Sequence, residues 1–224
     1  MSKSKIKILN KDAIVSMYVD YVLTNDKKSN SVYEFAKVNG FTESDFYNYF
    51  ASFAALEEQF MSDMFQYSLE LLAKTTAYET YDAAQKLSCF YFTFFELATA
   101  NRSFMVYLLK QKAHALKNNS YVIKLRPAFI NYIKTILETP FKTENQKITN
   151  IQNRLVNEGA WIQFLALFHY WLNDTSSNFE KTDVFIEKSV KASFDMVYNV
   201  PIESIVDFGK FLWKEKFSAF NSNN

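Results

Sequence analysis

Apolar side chains return every three or four residues along most of the 224-residue chain, and polar runs separate the periodic stretches. That spacing places them on one face of an α-helix. Ile14, Tyr18, Tyr21 and Val22 mark a first helix over about Asp12 to Leu23. Val32, Phe35 and Ala36 mark a second, opened by the capping pair Ser31 and Glu34 and stopped at Asn39-Gly40, where glycine accepts a left-handed backbone. Thr42 with Asp45 repeats the capping signature for a third helix carrying Phe46 and Phe50. Ser52 caps a fourth, running to about Lys74 with Leu56, Phe60, Met64, Tyr67 and Leu71 as its stripe. Glu57 and Glu58 lie in its first turn, where acids complement the helix dipole.

The same period continues downstream. Residues 80–100 form a helix with Leu87, Tyr91, Phe94, Phe95 and Ala98 inward, and its run Cys89 to Phe95 is apolar nearly all round, hence buried on several sides. Residues 101–117 are helical up to a polar break. Tyr121 to Glu138 follows, and Arg126-Pro127 predicts a kink or a restart there. Glu144 to Leu172 is the longest helix and carries two stripes. Trp161, Phe164, Phe168 and Trp171 make one; Ile162, Leu165, His169 and Leu172 make the other. A helix over 182–199 aligns Ile186, Val190, Phe194 and Val197, and Pro201 opens a last amphipathic one reaching Phe217. About ten helices and nothing else predict an all-α fold. Only three glycines and three prolines agree, since sheets need more turn chemistry.

Composition narrows the function. A net charge of +1 gives no strong overall attraction to polyanions. The one cysteine, Cys89, reads as a reduced core thiol and points to the cytoplasm. No signal peptide is visible, and no stretch approaches the roughly 20 apolar residues of a transmembrane segment. The two histidines, His114 and His169, stand far apart, and neither metal-ligand spacing nor a nucleophile or phosphate-loop motif is present. No enzyme, metal or cofactor is therefore expected. Glu96 and His169 read as satisfied polar groups in an apolar interior.

Helix, short turn with glycine, helix is the geometry of a helix-turn-helix unit. The stretch from Ser31 to Phe53 resembles the N-terminal DNA-binding motif of the TetR/AcrR family of bacterial repressors at Val32, Phe35, Ala36, Gly40, Phe41, Phe46, Tyr47, Phe50, Ser52 and Leu56. The resemblance implies a three-helix helix-turn-helix domain over 1–52 and a larger helical ligand-binding and dimerisation domain over 53–224. It implies a homodimer through residues 150–172 and 182–199. It also implies DNA contacts from Thr42, Ser44, Tyr47, Asn48, Tyr49 and the flanking Lys28. An apolar or lipid-like effector would lie among Phe90, Phe94, Tyr107, Arg126, Phe129, Trp161, Phe164 and Phe168.

Charge leaves a second reading open. From Ser29 to Glu58 the only cation is Lys37, against Glu34, Glu43, Asp45, Glu57 and Glu58. Where the family carries basic residues this chain has Glu43 and Phe53. Lys3, Lys5, Lys7, Lys27 and Lys28 are left as a flanking basic rim. The alternative is a repressor fold that has lost DNA and binds a lipid-like ligand, a membrane surface or a protein partner. The final helix from Pro201 to Phe217 is similar in character to the membrane-active helix of a mitochondrial lipid-binding family of coenzyme-Q biosynthesis. More simply, it covers the domain's own core.

Overall fold

The computed structural model describes residues 9–25, 29, 31–110, 116, 119–137 and 146–199. They form nine α-helices and no strand. These are α1 Lys11–Asn25, α2 Val32–Asn39, α3 Glu43–Tyr47, α4 Phe53–Ala73, α5 Ala83–Ala100, α6 Arg102–Lys110, α7 Ser120–Ile136, α8 Gln146–Asn173 and α9 Glu180–Asn199. Short 3-10 turns at Thr76–Thr80 and Ser177–Phe179 precede α5 and α9. The fold is all-α, with a helix-turn-helix near its start and a larger helical part after it.

The chain divides by Cα proximity into two units, Met1–Glu79 with Phe90–Pro127 and Thr80–Cys89 with Ala128–Asn224. In the first, Phe35 is the centre of a ring cluster. It meets Tyr18 at 5.8 Å, Phe41 at 5.5 Å and Phe53 at 5.6 Å, each edge to face, the arrangement the ring quadrupoles favour. In the second, Phe129 stacks on Phe164 at 4.8 Å, and Phe164, Phe168 and Trp171 continue the cluster along α8. Ile186 and Val190 are buried on α9.

Several elements differ from the sequence reading. Helix α7 runs through Pro127 without interruption; the proline is exposed and simply lacks one amide donor. On α4 the buried positions are Glu57, Met61, Met64, Ser68 and Leu72, with Leu56 and Phe65 beside them, while Tyr67 is exposed. The buried face is thus turned by one residue from the expected stripe. Two polar members, Glu57 and Ser68, hide it from hydrophobicity alone. Ser68 is accommodated by donating to the Met64 carbonyl at 2.8 Å. Cys89 is half-buried rather than a full core thiol, and desolvation pushes its thiol above the ordinary value. The expected final helix, Pro201 to Phe217, lies outside the described residues.

Candidate functional site

The turn between α2 and α3 is built by local hydrogen bonds. Ser31 accepts from the Glu34 amide at 3.1 Å and opens α2. Gly40, at φ +78°, closes it, and the Phe41 amide returns to the Ala36 carbonyl at 3.1 Å. Helix α3 then starts on a reciprocal capping box: Asp45 N–H donates to the Thr42 hydroxyl at 3.2 Å, and Thr42 N–H donates to the Asp45 carboxyl at 2.9 Å. The Thr42 hydroxyl and amide together hold that carboxyl below its ordinary range.

Helix α3 is one short turn and a half, five residues long, and hydrogen bonding of the helical kind continues as far as the Phe50 amide on the Phe46 carbonyl at 3.0 Å. Phe46 is its inward anchor, 5.4 Å from the Phe53 ring. Thr42, Ser44, Tyr47, Asn48 and Tyr49 are all exposed, while Phe46 among them is buried. Tyr47, 52% exposed, donates to Glu43 at 3.2 Å; desolvation, then Glu43, raises its phenol pKa. Tyr49 donates to the Leu9 carbonyl at 3.4 Å. Lys28 lies outside the described residues, as do Lys3, Lys5, Lys7 and Lys27.

The acid balance of this head changes in three dimensions. Glu58 is paired with Lys124 of α7 at 2.6 Å. Glu57, expected in the first turn of α4 as a complement to the helix dipole, lies just past that turn and is fully buried. It accepts from the Tyr18 hydroxyl at 2.7 Å and from the Tyr121 hydroxyl. Burial first, then Glu57, raises both phenols, so both remain donors. That leaves Glu34, Glu43 and Asp45 as the acids of the helix-turn-helix itself. Lys37, its one cation, stands 5.9 Å over the Tyr33 ring. One signal of Glu57's buried place is its spacing, which continues the line Met61, Met64, Ser68 and Leu72 at helical period.

The aromatic residues expected to line an effector site are shared between the two units. In the first unit Phe90 stacks on Phe94 at 5.8 Å, and Tyr107 stacks on Phe104 at 5.9 Å; Arg126 is half-buried. In the second, Phe129 meets Trp161 at 5.9 Å and Trp161 meets Phe164 at 5.5 Å. Phe168 lies fully buried beyond them. Two expected interior polar groups are on the surface. Glu96 shares the outer side of α5 with Gln85 and Ala100, opposite the buried Phe90, Phe94 and Ala98. His169 lies on the outer side of α8. His114 is outside the described residues.

Helix α8 keeps its two faces apart. Trp161, Phe164, Phe168 and Trp171 are buried, whereas Ile162 is 63% exposed and Leu155 is also exposed. Helix α9 packs on α8, with Gln163 donating to Ser189 at 3.2 Å and Tyr170 stacked on Phe185 at 4.6 Å. It exposes Val184 and Met196. No helix among the described residues is long and apolar enough to cross a membrane.

Comparison with known proteins gives a family. Residues 86–212 match the model of the tetracyclin repressor-like C-terminal domain. The fold is similar to the crystal structure of the TetR transcriptional regulator from Nitrosomonas europaea ATCC 19718. The TM-score is 0.62 at 12% sequence identity, covering 82% of this chain and 96% of that one. The chain matches none of the curated proteins with which it was compared.

Proposed function

The chain belongs to the TetR family, and from that membership we propose that it is a cytoplasmic, homodimeric transcriptional regulator whose DNA binding is controlled by an apolar small molecule. Residues 1–52 are the DNA-binding domain in this reading and 53–224 the ligand-binding and dimerisation domain. No catalytic step is involved. The observation that carries it is the exposed stretch from Thr42 to Tyr49, held on a capped helix whose only inward side chain is Phe46. Thr42, Ser44 and Asn48 present groups that pair with phosphates or base edges, and the Tyr47 and Tyr49 hydroxyls suit phosphates. Lys28 adds a flanking cation. Removing Glu57 and Glu58 from the acid count eases the repulsion that five acids would exert.

Dimerisation is assigned to α8 and α9, through residues 150–172 and 182–199. Leu155, Ile162, Val184 and Met196 supply exposed apolar area on the faces turned away from the core. We assign the effector to the aromatic residues Phe90, Phe94, Tyr107, Phe129, Trp161, Phe164 and Phe168, with Arg126 as a polar anchor. With so few polar groups among them, an apolar or lipid-like molecule fits.

Anisotropy of labelled DNA from the region upstream of the protein's own coding sequence, titrated across salt, tests the DNA step. A sequence-dependent complex that weakens with salt and with Tyr47→Ala supports it; no complex at low salt overturns it. One observation favours a second reading. Helix α3 carries Glu43 and Asp45 and no cation, which suits a repressor-fold protein that binds a lipid-like ligand, a membrane surface or a protein in place of DNA. A null DNA titration with lipid recovered from the purified protein would support that reading.

A further inference from the structure

Helix α4 is gripped from two sides. Helix α1 reaches it through Tyr18 to Glu57 at 2.7 Å and through Lys11 to Asp63 at 2.7 Å. Helix α7 reaches it through Tyr121 to Glu57 and through Lys124 to Glu58 at 2.6 Å. Glu57 is common to both grips, and the two phenols use different oxygens of its carboxyl group. Around them the space is filled: Tyr18 stacks on Phe53 at 4.9 Å and meets Phe104 edge-on at 6.2 Å.

A carboxyl group in such a place is costly unless its hydrogen bonds are met, and an apolar side chain would pack there without that cost. Its two oxygens are fixed in one plane. A shift of the first turn of α7 that keeps the Tyr121 bond must therefore turn or displace the oxygen held by Tyr18. Burial keeps both phenols protonated, so each retains the O–H that it donates to Glu57.

We infer that Tyr18, Glu57 and Tyr121 form a coupling clasp, in which the placement of the first turn of α7 sets how firmly α1, and the helix-turn-helix packed on it, is held. Its use in control rests on the regulator reading above; its existence does not. Glu57 acts as a positioning residue, through the two helices it joins. Helix α7 also carries Phe129, stacked on Phe164, so an effector that disturbs that ring pair acts on the helix whose first turn the clasp holds.

Hydrogen–deuterium exchange on the full chain, without DNA or ligand, tests the clasp. Tyr121→Phe deletes one hydroxyl and keeps the ring. Amides of α1, α2 and α3 should then exchange about five- to tenfold faster, as expected for loss of one buried bond to a charged or polar partner. Amides of α9 should keep their rates. Tyr18→Phe should in turn loosen the first two turns of α7, because coupling is reciprocal. Faster exchange confined to α4 and α7, or raised equally in every helix including α9, overturns the clasp. Should Tyr121→Phe fold poorly, Glu57→Gln serves: one acceptor remains, and the same pattern should appear with a smaller rise. Because DNA is absent, failure of the anisotropy experiment leaves this result untouched, and unchanged exchange in a DNA-binding protein removes the clasp alone.

Discussion

Asp174 Oδ2 accepts both the backbone amide of Thr182, at 2.9 Å, and its hydroxyl, at 2.7 Å. Oδ1 takes the Ser176 amide at 2.8 Å and hydroxyl at 2.6 Å. One carboxylate thus staples the end of α8 to the first turn of α9 across a reversal in which Asn178 and Phe179 take positive φ, 51° and 59°. Desolvation pushes the Asp174 carboxyl up, but the bonds from Ser176 and Thr182 outweigh it and hold the group at about 2, against an ordinary 3.8.

The sign of the pH effect follows. A carboxyl with a lower pKa folded than unfolded binds its proton less readily in the folded state. Its stabilisation is present in full above the ordinary carboxyl value and is lost as pH falls from about 4 towards about 2. Asp174→Asn should lower Tm at neutral pH, and the gap from wild type should close across that acid window. Thermal melts followed by circular dichroism at several pH values measure this. A gap that stays constant with pH would show that the loop, not the charge, carries the stabilisation.

Gly40 stands at φ +78° with no atom near the place a Cβ would occupy. Gly40→Ala therefore pays only for backbone strain, about 1–2 kcal/mol, and Gly40→Asn should cost less because asparagine tolerates the left-handed region. Urea unfolding of the two variants gives the comparison. Equal losses would mean that side-chain crowding, rather than backbone conformation, limits the turn.

If α8 and α9 form the proposed dimer interface, Ile162 and Leu155 separate folding from assembly. Both are exposed on α8, while Phe164, two residues from Ile162, is buried against Phe129. Ile162→Asp should leave the helical signal intact and shift the protein towards monomer in sedimentation velocity. Phe164→Ala should instead cost about 3–5 kcal/mol through the cavity it leaves. A protein that stays dimeric with aspartate at both Ile162 and Leu155 would place the interface elsewhere.

The helices and the turn were legible because local chemistry writes them. Ser31, Gly40, Thr42 with Asp45, and Ser52 act within four residues of themselves, and each caps or stops the helix it was expected to. What tertiary packing decides was harder to read. Glu57 is charged and was expected in the first turn of α4, where local rules place acids in water. Helix α4 starts at Phe53, Glu57 falls just past that turn, and Tyr18 and Tyr121, 39 and 64 residues away, hold it inside. Glu96 and His169 failed in the opposite sense. Their neighbours in sequence are aromatic, but a helix sends adjacent residues to different sides, so apolar company along the chain does not imply burial. The exposed stretch Thr42 to Tyr49 was legible for the same reason as the caps: Phe46 is the apolar residue that turns inward, and the rest remain outside.

Glu43 offers a test of whether the head meets a polyanion. It stands in the first turn of α3, exposed enough to meet solvent, and its partner is the Tyr47 hydroxyl. The capping box uses Thr42 and Asp45, so Glu43 can be replaced without opening the helix. Glu43→Lys exchanges a negative for a positive charge at the start of the helix expected to enter the major groove. If α3 faces DNA, non-specific affinity should rise and the salt dependence should steepen by about one phosphate contact. Tyr47, released from its acidic acceptor, becomes available to a phosphate oxygen, so Tyr47→Phe should cost more affinity in the Glu43→Lys background than in wild type. Anisotropy with an unrelated duplex at several salt concentrations reads both effects. An unchanged salt slope in Glu43→Lys would mean that α3 does not approach the phosphates, which is the outcome that the DNA-free reading requires.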